Sequence, residues 1–184
     1  LIVAIDAGTQ SIRAALVDLE GTIHKLVKNP IEPYFADQPG YAEQDPQYYW
    51  DQLCATTREL RDGVAADRLL AATLTTQRVT MINVDADGRP LRPAIVWLDQ
   101  RKADIGKVLP RLTFPALKAA RLYPLIEYAT QYCRSNWIQQ NQPEIWDQTY
   151  KFLFLSGYFT HRLTGEFTDS TGNIVGTIPF DVKK

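Results

Sequence analysis

Apolar residues come first in short runs and alternations, and later at helical spacing. Leu1–Ile5 is a continuous apolar run of strand length, the pattern of a buried central strand. Polar residues interrupt it from Asp6, and then Ile12, Ala14 and Leu16 alternate as a second strand reaching about Leu19. Glu20-Gly21 reads as a turn and Ile23–Val27 as a third strand, so the chain opens with an antiparallel three-stranded meander. Asp45-Pro46 is a helix start, with Asp at the N-cap and Pro at the first helical position. Tyr49, Leu53, Leu60 and Val64 follow at helical spacing, with Gly63 as a stop. Leu69–Leu74 and Val79–Val84 return to strand, and Ala94–Trp97 is a further short strand-like piece.

From about Asp99 the pattern is mainly helical. Leu122, Leu125, Ile126, Ala129, Tyr132 and Cys133 share one face, Pro143 opens a short helix, and Gly165 closes another ending at Thr164. Residues 167–182 read as turn-rich with one apolar segment. A meander followed by helix and strand alternation predicts one α/β domain with a mixed sheet and a helical appendage, in an order that is not Rossmann.

Composition narrows the partners. The 184 residues are 45% hydrophobic and 22% charged, with a net charge of -1. That balance gives no attraction to nucleic acid or to an anionic membrane surface. No apolar stretch has bilayer-spanning length, and the opening residues lack the pattern of a secretory signal, which together point to a cytoplasmic protein. Cys54 and Cys133 have no CxxC spacing and read as core thiols on helical apolar faces. His24 and His161 are isolated, so no metal set is spelled by spacing.

Three segments could carry chemistry. Asp6-Ala7-Gly8-Thr9-Gln10-Ser11 lies between two strands, where a tight turn aims successive backbone N–H groups into one concavity that suits phosphate. Gly8 permits close approach, Thr9 and Ser11 add hydroxyls, Asp6 could hold Mg²⁺, and Arg13 could reach the same phosphates. The plain alternative is an ordinary hairpin turn, which uses the same residue types. Thr75-Thr76-Gln77-Arg78 follows an apolar strand, at the end where open α/β sheets hold ligands; the alternative is a polar loop. Trp97-Leu98-Asp99-Gln100-Arg101 could cover a sugar's C–H face with the indole while the charged groups bond hydroxyls; the alternative is a core Trp beside a helix-capping Asp. The P-loop, dinucleotide, zincin and nucleophile-elbow motifs are absent.

Taken in order, these segments resemble the N-terminal domain of the FGGY carbohydrate kinases, the family of glycerol kinase and xylulose kinase. Asp6-Ala7-Gly8-Thr9-Gln10-Ser11-Ile12-Arg13 is similar to the family's first phosphate motif. Pro39-Gly40-Tyr41-Ala42-Glu43-Gln44-Asp45-Pro46, Gln77-Arg78, and Pro93 through Arg101 follow in matching order, as do Trp137-Ile138, Pro143-Glu144-Ile145 and Arg162 through Asp169. The resemblance covers residues 1–184 as one N-terminal domain. It implies an RNase H-like (actin-like ATPase) fold with ATP and a sugar or polyol held between two lobes. By position Asp6 would organise Mg²⁺, while Gly8, Thr9, Gln10, Ser11 and Arg13 would face the transferring phosphate. Gln77, Arg78, Trp97 and Asp99 would line the sugar pocket.

Two departures qualify the match. Val79 stands where glycerol kinases carry a polyol-binding Glu, and Arg78-Val79 is not the Met-His of xylulose kinases, so neither substrate is specified. The family's general base lies in a Gly-Asp-Gln or Gly-Asp-Asn motif beyond the Phe-Asp-Val segment, here Phe180-Asp181-Val182, so the base is expected beyond Lys184, and a second, C-terminal lobe is expected to supply the adenosine-binding elements. Asp169 sits in a different, structural part of the pattern. The alternatives are a sugar-binding or regulatory module without catalysis and, more weakly, an actin-like assembly ATPase. Whether the protein forms a homo-oligomer is left open by these residues.

Overall fold

The computed structural model describes residues 1–170 and Gly172, so Phe180-Asp181-Val182 and most of the turn-rich tail lie outside the described residues. The order of elements is β1 (Ile2–Ala7), β2 (Ser11–Val17), β3 (Ile23–Pro30), β4 (Glu43–Gln44), α1 (Pro46–Arg61), β5 (Ala71–Thr76), β6 (Met81–Val84), β7 (Ala94–Ile95), α2 (Ile105–Val108), α3 (Phe114–Ala119), α4 (Tyr123–Gln131), α5 (Arg134–Asn141), α6 (Pro143–Gln148), β8 (Lys151–Phe154) and α7 (Leu155–Thr164).

The opening meander forms as expected, β1 antiparallel to β2 and β2 to β3. On its other edge β1 pairs in parallel with β5, giving a mixed sheet of order β3-β2-β1-β5. Alternation decides its faces. Ile5, Ala7, Ile12, Ala14 and Leu16 turn one way and are buried, whereas Asp6 pairs with Arg13 and Thr75 on the opposite face.

Helix α1 covers the apolar face. Asp45 caps it, its carboxylate accepting from Gln47 N at 2.8 Å, and Pro46 occupies the first turn. Tyr49, Leu53 and Leu60 are buried against the sheet, together with Leu155, Tyr158 and Phe159 of α7. Each such fully buried side chain contributes about 1.5–3 kcal/mol by leaving water. Gly165 ends α7 with φ 81°, a left-handed cap that only glycine adopts without strain.

A second, small antiparallel sheet, β4-β7-β6-β8, was not legible as such in the hydrophobic pattern. Strand β8 falls in the region expected to be helical; its four residues are too few to show a period, and pairing with β6 makes them a strand. The expected strand Val79–Val84 begins at Met81, because Val79 adopts φ 58° and turns the chain sharply. The expected strand Ala94–Trp97 is only Ala94–Ile95. Cys54 and Cys133 are half-buried free thiols rather than core thiols, and Cys133 lies at the N-cap of α5 instead of on a helical face. Leu122 and Leu125 are 47% and 58% exposed, so the helical stripe predicted there is only partly covered. No helix among the described residues is long and apolar enough to cross a membrane.

Candidate active site

Because β1 and β5 are parallel neighbours, their C-terminal ends lie side by side. The parallel ladder runs one step past the strands, Gln77 N donating to Ala7 O at 2.8 Å. The turn after β1 and the loop after β5 therefore abut. In the first, Gly8 N donates to Ser11 O at 3.1 Å, closing a tight turn. The N–H groups of Thr9 and Gln10 donate to no acceptor among the described residues. Two adjacent unused amides on a turn are a ready anion cradle. Ser11 is buried at the start of β2, and the Gln10 side chain is exposed while its carbonyl accepts from Ile31 N.

Asp6 and Arg13 face each other across β1 and β2, Arg13 Nη1 donating to Asp6 Oδ2 at 3.4 Å. Their side chains are 46% and 50% exposed, so both charges remain available. They line an open cavity of about 310 Å³ together with Ala15, Thr73 and Thr75. A larger groove of about 490 Å³, lined by Tyr34, Gln38, Tyr41, Leu98 and Gln100, includes none of these charged groups. The smaller cavity holds the Asp6–Arg13 pair but none of the Gly8, Thr9, Gln10 and Ser11 turn.

A string of hydrogen bonds crosses from the turn to the other two segments. Trp97 Nε1 donates to Thr9 Oγ1 at 3.0 Å, although 88 residues separate them. Thr9 Oγ1 donates to Gln77 Oε1 at 3.3 Å, and Gln77 Nε2 donates to Tyr49 OH at 2.9 Å. Tyr49 OH donates in turn to Pro33 O at 3.3 Å. Trp97 itself is 47% exposed, with its ring open to a ligand. Arg78 is exposed and makes no hydrogen bond or ion pair among the described residues. It stands beside Val79, whose φ of 58° is a strained conformation for a β-branched residue.

Asp99 departs from the pocket role expected for it. Its side chain is fully buried, and both carboxylate oxygens are taken internally. Oδ2 accepts from Ala42 N at 2.7 Å, and Oδ1 accepts from Arg101 N and Nε at 2.9 and 2.8 Å. Arg101 Nη2 lies 2.7 Å from both Asp99 Oδ2 and Glu43 Oε1, held by charge rather than by good hydrogen-bond angles. Arg92 also pairs with Glu43, and Arg134 donates to Asp99 O at 2.8 Å. Burial holds the Arg92 and Arg134 guanidinium pKa values below their usual range. The Arg101 guanidinium stacks 3.8 Å from the Tyr41 ring centroid and 4.6 Å from that of Trp137. This cluster ties the Trp97–Arg101 turn to β4 and α5, and so sets where Trp97 emerges.

Sequence reasoning missed Tyr49 and the Glu43–Arg92–Arg134 part of the cluster. The available signal for Tyr49 was a phenol on an otherwise apolar helical face, since a buried hydroxyl needs a partner.

A family profile described as the FGGY family of carbohydrate kinases, N-terminal domain, matches residues 1–184. The chain belongs to that family. Similar curated proteins include xylulose kinase of Streptomyces rubiginosus, 29% identical over 178 residues that cover 96% of this chain and 36% of that protein. Glycerol kinase of Thermococcus kodakarensis is 28% identical over 193 residues, covering 100% of this chain and 38% of that protein. The fold is similar to that of xylulose kinase from Rhodospirillum rubrum, with a TM-score of 0.78 and 22% identity over 98% of this chain and 38% of that one. Gluconate kinase from Lactobacillus acidophilus gives a TM-score of 0.75 at 21% identity, over 96% of this chain and 35% of that one. This FGGY domain thus spans a little over a third of the curated relatives' length. It has the mixed-sheet α/β, actin-like ATPase fold that its motifs imply.

Proposed function

We propose that the protein containing this domain is a cytoplasmic, ATP- and Mg²⁺-dependent carbohydrate kinase. It transfers the γ-phosphate to a hydroxyl of a small sugar or polyol held between this domain and a C-terminal lobe. The observation that carries the reading is the 3.0 Å contact between Trp97 Nε1 and Thr9 Oγ1, which joins the anion turn to the sugar-side segment. An acceptor hydroxyl beside Gln77 and Trp97 would lie next to a phosphate in the Thr9 turn, and such proximity is most of what phosphoryl transfer requires.

The residues present fit the implied groups. The free N–H groups of Thr9 and Gln10 suit phosphate oxygens. Among the described residues no cluster of three or more His, Cys, Asp or Glu could hold a metal. Asp6 would therefore be a single protein carboxylate for Mg²⁺, which commonly keeps waters and takes phosphate oxygens as its other ligands. When bound, Mg²⁺ supplies charge neutralisation on the phosphates. Arg13, on the same face, stabilises further negative charge with its guanidinium fork. Arg78, exposed beside Gln77, is the free cation nearest in sequence to the sugar side. Asp99 acts indirectly, by holding the Trp97 turn.

The test is ADP release by the full-length protein with Mg-ATP, across pentuloses, hexuloses, alditols and aldonic acids. Turnover dependent on one class, lost in Asp6→Ala, is the expected result. Binding of a sugar with no turnover on any would instead make the protein a sugar-binding module on the kinase scaffold.

A further inference from the structure

The string from Trp97 to Pro33 has only one consistent proton order. An indole N–H can only donate and a proline carbonyl can only accept, so the two ends fix the direction of everything between them. Thr9 must accept from Trp97, and its own proton must then point at Gln77 Oε1. That pins the Gln77 amide with its oxygen toward Thr9 and its nitrogen toward Tyr49. The Tyr49 hydroxyl accepts from Gln77 and passes its proton to Pro33 O. Reversing any link would leave two donors or two acceptors facing each other.

Tyr49 is the only member of the string whose side chain is anchored in the core. Its residue exposure is 0%, and its ring packs among Leu53, Ile12 and the rest of the main cluster. Thr9 and Gln77 are half-buried and Trp97 is largely exposed. A core-anchored residue at one end and an exposed ring at the other is the arrangement of a positioning device. Burial raises the Tyr49 pKa to about 12, so the phenol keeps its proton throughout the physiological range.

We infer that Tyr49 is a positioning residue for the sugar side of the site. Through Gln77 it sets the rotor of the Thr9 hydroxyl, and through Thr9 it docks the Trp97 indole on the anion turn. The same geometry links the two halves of the site. A phosphate oxygen arriving at Thr9 would draw the hydroxyl proton away from Gln77 Oε1, leaving that carbonyl free to accept a hydroxyl of the sugar. Nucleotide and sugar therefore bind with positive coupling, through one hydroxyl rotor rather than a backbone change. This part rests on the kinase reading above, whereas the docking of Trp97 does not.

The test uses the full-length protein and Tyr49→Phe, which removes one oxygen and keeps the ring in the core. The readout independent of catalysis is the Trp97 indole N–H resonance, assigned by its loss in Trp97→Phe. Tyr49→Phe is expected to shift that resonance, as is Gln77→Met, whereas Thr9→Ser keeps it and Thr9→Val moves it. Loss of one such hydrogen bond should also raise the sugar KM by about fivefold with kcat little changed, because binding rather than chemistry is weakened. An indole resonance unmoved by both Tyr49→Phe and Gln77→Met overturns the relay. A shifted resonance with an unaltered sugar KM overturns the positioning role. Should Tyr49→Phe not fold, Gln77→Met reads the same link from outside the core. A shifted resonance in a protein that turns over no sugar leaves the relay standing and removes the kinase reading instead.

Discussion

Two groups of charges sit in this domain, and they are held in opposite ways. Asp6 and Arg13 meet at 3.4 Å across two strands, with side chains 46% and 50% exposed. Glu43, Arg92, Asp99, Arg101 and Arg134 are packed in the interior, and the Asp99 and Arg101 side chains are 0% and 1% exposed. Exposed charges in a loose pair contribute little to stability and are free to meet a ligand. Buried charges carry a large desolvation cost, which only mutual pairing offsets, so they are unavailable to anything else. The motif around Trp97 contains residues of both fates: Trp97 faces outward, whereas Asp99 and Arg101 hold it in place from behind.

The comparison breaks most severely at Arg101. Arg101→Met strands the buried Asp99 carboxylate and leaves Glu43 to Arg92 alone, and should cost about 3–5 kcal/mol in denaturant unfolding. Arg101→Lys should not recover most of it, because a point charge cannot fork between two carboxylates while lying flat on Tyr41. Arg92→Met is the sharper test of the cluster's charge balance. Three arginines face two carboxylates, and Arg92 Nε and Nη1 are buried without hydrogen-bond partners. Removing it should cost no more than about 1 kcal/mol, because Glu43 keeps Arg101. An equal loss at Arg92 and Arg101 would mean that the excess charge is balanced by something other than these five residues.

At the loop after β5, Val79→Gly should stabilise the fold by about 1 kcal/mol or less, as relief of the left-handed strain is partly offset by added chain entropy. A loss of stability would show that the Val79 side chain packs in a way that outweighs its backbone strain. Asp6→Asn should change unfolding stability by less than about 0.5 kcal/mol, yet abolish ADP release in the full-length protein. Large destabilisation there would erase the contrast between the two groups. The smallest effect belongs to Asp18 on the β2–β3 hairpin. Hydrogen bonds from Thr22 N and the His24 ring, with a further one from Glu20 N, hold its carboxyl below the usual carboxylate range. A depressed carboxylate stabilises the fold above its unfolded pKa of about 4 and loses that contribution as pH falls through its folded value. Melting followed from pH 6 down to pH 2 (pH values chosen to bracket about 4) should therefore show a shallower acid-side slope in Asp18→Asn than in the parent.

Much of the scaffold was legible because its signals are local. The Asp45-Pro46 helix start, the spacing of Tyr49, Leu53 and Leu60, the Glu20-Gly21 turn and the Gly165 stop each depend on neighbours within one or two turns of chain. The tight turn after β1 was legible for the same reason, since Gly8 through Ser11 make it among themselves. Residues whose partners lie far away were harder to read. Asp99 looked like a ligand because an acidic side chain beside a Trp suits a sugar, but its partners are Ala42, Arg101 and, through its carbonyl, Arg134. Tyr49 looked like a core aromatic, and it is one, but its hydroxyl also ends the relay from Trp97.

By itself, then, the amino-acid sequence determined the meander, the long first helix and the family. Those properties follow from periodicity, caps and turn residues, whose physics is short-ranged. Only the tertiary structure decided the strand identity of Lys151–Phe154, the burial of Asp99 and the meeting of Thr9 with Trp97 across 88 residues. Each depends on which strand lies beside which. The parallel placement of β5 against β1 sets Gln77 beside the turn that follows β1, and the buried ion pairs behind Trp97 set where its ring emerges. Side-chain type and spacing do not encode those neighbours one residue at a time; the packing of two sheets and their helices does.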